Sequence, residues 1–242
     1  SPESASPDWP VAAIDDTLTA MGVLPAVELA DLKPKLRGWL HLGAAPVAVL
    51  AGMLLVVASP SHLRVAVAVY AVSTVLLFTS SAMLHVGSWG PRTHGVLRRI
   101  DHCGIFFLIA GSFTPFAAAL LPPGTAATML WLVWVGAVAG AMFRVFWLKA
   151  PRWVYTPVYL ALGWTAAFFM PDIADGGGLA ILVLLIAGGV CYSAGAVIYA
   201  LRRPNPSPRW FGFHEVFHSF TLGGFATHWA AVAVVVFGVA AA

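Results

Sequence analysis

Apolar residues in this chain fall in long, nearly unbroken runs, not in the narrow stripes of helices that cover a soluble core. Seven runs stand out, at about 38–59, 64–86, 100–121, 125–148, 153–170, 177–200 and 214–240. Each approaches the roughly 20 residues that a helix needs to cross a bilayer. They lack the strict alternation of a barrel strand and are about twice its length. Helices are therefore the predicted spanning elements, because a helix satisfies its own backbone hydrogen bonds in lipid. The pattern predicts an all-α membrane protein, a bundle of seven transmembrane helices filling residues 36–242 as one domain. Residues 1–35 read differently. They open on SPESASPDWP and carry Glu3, Asp8, Asp15, Asp16, Glu28 and Asp31, too polar for a cleavable signal peptide. A flexible tail is one reading of this segment, and a short interfacial helix over 11–32 is the other.

Composition agrees with the pattern. Of 242 residues, 60% are apolar and 10% charged, and the mean hydropathy is +0.86. Soluble domains have about 45–50% apolar and about 25% charged residues, so an ordinary soluble enzyme and a disordered chain are both excluded. A net charge of +3 and a pI near 9.1 would suit a nucleic-acid binder, but the basic residues are not clustered. Taken span by span, twelve of the 13 Lys and Arg fall on alternate sides of the membrane, and Arg64 alone falls on the other. The positive-inside rule then predicts a cytoplasmic N-terminus and an outside C-terminus. Membrane lipids, not nucleic acids, are the expected partners, and the expected location is a cell membrane. Cys103 and Cys191 lie in apolar runs without disulfide or C-x-x-C spacing and read as small core residues.

Ionisable groups at membrane depth are costly and mark function. The predicted topology places His41, His85, Asp101, His102, His214, Glu215 and His218 near the cytoplasmic ends of their spans. His228 lies about 15 Å deeper than His218, at 1.5 Å per residue. His214 and His218 are spaced i, i+4 on one helix face, which lets two imidazoles share a metal. His85 supplies a third imidazole from the second span. Three histidines with one open position form a common catalytic zinc arrangement, although copper, nickel and iron also accept imidazole. Ser81 is one turn before His85 on the same face. Asp101 either acts on a water at the metal or pairs with Arg98 or Arg99 and caps the third span. His94 and His102 read as interfacial histidines.

These residues resemble the progestin and adipoQ receptor (PAQR) superfamily, and its bacterial hemolysin III branch in particular. The resemblance rests on KPKLRGWLH at 33–41, SSAMLH at 80–85, RIDHCGIFFLIAGSFTPF at 99–116, YTPVYLALGW at 155–164 and HEVFHSFTLGG at 214–224. It implies a zinc site on the cytoplasmic side made by His85, His214 and His218, with Asp101 and Ser81 as the aspartate and serine beside it. Relatives of the superfamily include alkaline ceramidases, so the resemblance also implies a lipid amide or ester hydrolase. Many members carry an Asn and a Thr before the first-span histidine. Here that stretch is GWLH, which leaves the role of His41 open.

Two other functions stay open at this level. One is a receptor, homeostasis sensor or cytolytic protein in which the metal is structural. The other is a peptidase, because residues 214–218 spell H-E-x-x-H, with Glu215 as the base. The peptidase reading lacks a third ligand downstream, since position 224 is Gly.

Overall fold

A computed structural model of the chain describes residues 33–241. The tail expected over 1–35 lies outside the described residues, apart from positions 33–35. Seven helices follow: α1 (Trp39–Ala58), α2 (Arg64–Val86), α3 (Pro91–Leu120), α4 (Pro123–Phe146), α5 (Arg152–Trp164), α6 (Met170–Leu201) and α7 (Phe213–Ala241). A 3₁₀ turn, Thr165–Phe169, joins α5 to α6.

Two boundaries differ from the predicted runs. α3 begins at Pro91 instead of near residue 100. Proline at the first helical position has no N–H to leave unpaired, so PRTHGVLRR forms a helical extension too polar to register as an apolar run. The second difference is the connection predicted between 170 and 177, which is helical. Arg152–Leu201 forms one helical stretch of 50 residues. Straight, it would measure about 75 Å, against a hydrocarbon layer of about 30 Å. Gly178, at φ 76 and ψ 176, is the one non-helical residue inside α6. Only glycine adopts such a conformation readily. α5 packs against α6, as a chain turning at Gly178 requires. The long stretch is therefore divided at Gly178, and the described residues hold six to seven long apolar helices, consistent with a multi-pass membrane protein.

α3 is the hub. It packs on α2 and α4 along its length and also touches α5, α6 and α7. α1 closes the bundle by meeting both α2 and α7. Phe106, Phe116, Leu55, Tyr70, Met129, Val133, Ile173 and Val232 are buried in the centre. The outer surface carries Val57, Val65, Trp131, Phe146, Trp153 and Phe168, each at least 70% exposed. An apolar surface this extensive is stable in lipid, not in water.

The cytoplasm-predicted end is tied together by backbone pairing. Lys35 N–H donates to the Arg209 carbonyl at 2.9 Å, and Leu36 N–H donates to that of Trp210 at 3.2 Å. The Lys35 ammonium sits 4.4 Å from the Trp210 ring centre. The segment before α1 is thereby held against the loop that leads into α7.

Candidate metal centre

α2 ends at Val86, so His85 lies in its last turn. α7 begins at Phe213, so His214 and His218 occupy its first two turns. Gly38, before α1, passes directly over His85. Its φ is +86, and a Cβ there would lie 2.6 Å from the His85 Cβ, so glycine is required on both counts. His214 Nε2 and His85 Nε2 are 3.2 Å apart. One ligand atom from each of His85, His214 and His218 lies within 4.8 Å of the others. A tetrahedral ion with Zn–N bonds of about 2.0–2.1 Å holds its nitrogens about 3.3 Å apart. His218 and His214 are buried, and His218 Nδ1 has no hydrogen-bond partner. Three neutral-capable imidazoles at this spacing fit a borderline-soft divalent ion, and the donor set alone does not choose among such metals.

Ser81 and Asp101 meet beside this cluster. Ser81, on α2, lies beside Asp101, on α3, with its hydroxyl facing the carboxyl. Both line the same cavity as the three histidines. That cavity measures about 480 Å³. Its polar end holds the histidines, Asp101, Arg98 and Arg152, and its walls continue along Leu108, Phe113, Met170 and Leu185. His228 lies at the far end, about 21 Å along α7 from His214 at 1.5 Å per residue. Its ring meets Tyr192 edge-on at 5.3 Å.

Glu215 takes no part in the cavity. It is 1% exposed and forms an ion pair with Arg37. Its second oxygen accepts the Gly212 N–H at 2.7 Å. The glutamate of the H-E-x-x-H string thus caps the N-terminus of α7 and anchors the segment before α1.

The structure places one histidine whose role the sequence left open and moves another from its sequence reading. His41 stacks on His218, with ring centres 3.7 Å apart and planes 6° from parallel. Parallel rings cannot aim lone pairs at one ion between them, so His41 lies outside the ligand set and supports the face of His218. His102 is not interfacial. It is 7% exposed and lines the cavity, and its Nδ1 lies 3.0 Å from Arg144 Nη2. His94, by contrast, is exposed at the cavity mouth. Arg144 was the signal available for His102, as a lone cation inside the FRVF stretch of an apolar run.

Comparison with known proteins now bears on this arrangement. A family model described as Haemolysin-III related matches residues 30–229, most of the chain. The chain belongs to that family. It is an integral multi-pass membrane protein of PAQR type. Ser81, His85, Asp101, His214 and His218 all fall inside the matched region. A hemolysin-3 homolog of Bacillus subtilis (strain 168) is 35% identical over 162 residues, covering 65% of this chain and 71% of its own. Hemolysin-3 of Bacillus cereus is 32% identical, covering 67% of this chain and 71% of its own. The human monocyte to macrophage differentiation factor is 26% identical, covering 68% and 67% respectively.

Proposed function

We propose that this family member is a zinc-dependent hydrolase of lipid amides or esters. Support comes from one observation: three clustered imidazoles, two of them buried, and a Ser81–Asp101 pair share one cavity with a largely apolar wall. His85, His214 and His218 would hold the ion, which when bound polarises a carbonyl and makes water more acidic. The remaining work falls to the chain. The acyl tail lies along Leu108, Phe113 and Leu185, where it excludes water and sets the scissile carbonyl at the polar end. Water adds to the carbonyl carbon and gives its proton to Asp101. The C–N or C–O bond then breaks, and Asp101 returns the proton to the leaving amine or alcohol oxygen. Ser81 holds the Asp101 carboxyl in place. The basic-residue asymmetry supports an inside N-terminus and a site at the cytoplasmic face.

A structural metal is the second reading, and one feature favours it. The ligands come from α2 and α7, so an ion would staple those helices together. Asp101→Asn separates the two. It preserves size and hydrogen bonding but removes the base. The expected protein is folded, carries zinc by elemental analysis, and no longer alters the lipid profile of cells that express it. A lipid profile identical to that produced by wild type, with zinc retained, would assign the metal a structural role. The H-E-x-x-H reading has no support from the geometry, because Glu215 is engaged with Arg37 and Gly212 outside the cavity.

A further inference from the structure

Arg144 is the largest fully buried side chain in the bundle, at 0% exposure. No carboxylate is paired with it among the described residues. A buried guanidinium without an acid is costly unless its donors are used. Three are: Nη1 donates to the Trp147 carbonyl at 3.1 Å, and Nη2 donates to the Leu148 carbonyl at 3.2 Å and faces His102 Nδ1 at 3.0 Å. The carbonyls belong to the cap residue and the turn just past the C-terminal end of α4, a place where a cation is favoured. The guanidinium carbon also lies 4.1 Å from the centre of the Tyr155 ring, which meets the His102 ring edge-on at 5.6 Å.

The chemistry of this contact settles the state of His102. A guanidinium has five N–H donors and no acceptor. His102 Nδ1 must therefore be the acceptor, and the ring proton must sit on Nε2. His102 lines the cavity and Arg144 does not. The Nδ1 edge thus faces the protein, and the Nε2 edge is the one left for the cavity. The Tyr159 hydroxyl donates to the His102 backbone carbonyl at 3.3 Å and holds the same turn of α3. Asp101, the neighbouring residue, lines the same cavity with Ser81.

We infer that His102 is a ligand-binding hydrogen-bond donor, locked as the neutral Nε2–H tautomer by Arg144. It serves an oxygen acceptor on an amphiphile in the cavity, such as a carbonyl, hydroxyl or carboxylate. This deepens the lipid-hydrolase reading by adding a polar subsite on α3, in the same cavity as the α2–α7 histidines. Arg144 is a positioning residue that acts through His102.

The full-length protein in nanodiscs, labelled with ¹⁵N-histidine, tests the first half. The His102 signal, assigned by its loss in His102→Gln, should show a protonated Nε2 and a bare Nδ1. Arg144→Lys, still donor-only, should keep that state, and Arg144→Met should lose it. A protonated Nδ1 in wild type overturns the proposal. Binding of a long-chain primary amide, a fatty alcohol and an alkane of equal length, read by tryptophan fluorescence, tests the second half. His102→Phe should weaken the amide and alcohol about 10-fold and leave the alkane and the zinc content unchanged, with His102→Gln intermediate. Equal amide binding by His102→Phe and wild type overturns the donor role. So does wild type that binds none of the three. Amide binding that follows this pattern without any hydrolysis sustains the subsite and defeats the hydrolase reading instead.

Discussion

Glu215 and His85 illustrate how differently ionisable residues at one membrane level are used. Glu215 is buried against Arg37, whose side chain is 17% exposed. Removing one partner of a buried pair costs about 3–5 kcal/mol. Partial exposure of Arg37 reduces this, to about 1–3 kcal/mol. Glu215→Gln should therefore lower the melting temperature in detergent while the protein still purifies with zinc. Unchanged melting with lost zinc would reverse that assignment. His85 has the opposite signature. It meets His214 and His218 and takes no part in an ion pair among the described residues. His85→Ala should fold and lose most of its zinc, read by elemental analysis, and His228→Ala, at the other end of the cavity, should retain it. Full occupancy in His85→Ala would remove His85 from the ligand set.

Along α6 the glycines have separate roles. Gly176 lies against the end of α3, where a Cβ would collide with the Leu120 carbonyl. Gly178 supplies the turn. Gly189 lines the cavity, and a Cβ there meets nothing within 4 Å. The first atom of a side chain at 189 therefore enters open space beside the cavity, and leaving glycine favours the helix by several tenths of a kcal/mol. Gly189→Phe should melt at or slightly above the wild-type temperature, keep its zinc, and bind long-chain amides at least about 10-fold more weakly than short-chain ones. Equal affinity for both lengths would show that the tail does not pass α6. The same helix shows where reading apolar runs falls short. The run predicted over 177–200 located the crossing, but the residues before it, MPDIADG, look like a loop and are helical.

For the whole molecule, the seven crossings expected from the apolar runs and the basic-residue asymmetry lead to one testable orientation. A reporter fused after residue 242 should be active only when it requires export, and a tag at the N-terminus should be protected in sealed right-side-out vesicles. Export-dependent activity at the N-terminus would invert the bundle and place the histidine cluster outside.

The apolar runs are local: each residue states its own preference for lipid, so the long apolar helices and their rough places were legible in the sequence. So was the i, i+4 face of His214 and His218, because helical spacing alone brings them together, and the quoted motifs pointed to His85, Ser81 and Asp101. Tertiary structure decided what depends on helix rotation and on partners far apart in the chain. Arg37 and Glu215 are 178 positions apart, and His102 and Arg144 are 42 apart. No local pattern says that one buried charge will meet another group at such a distance. The fate of each polar side chain, as cap, clamp, ligand or donor, is therefore set by the packing of α3, α4 and α7 around one cavity.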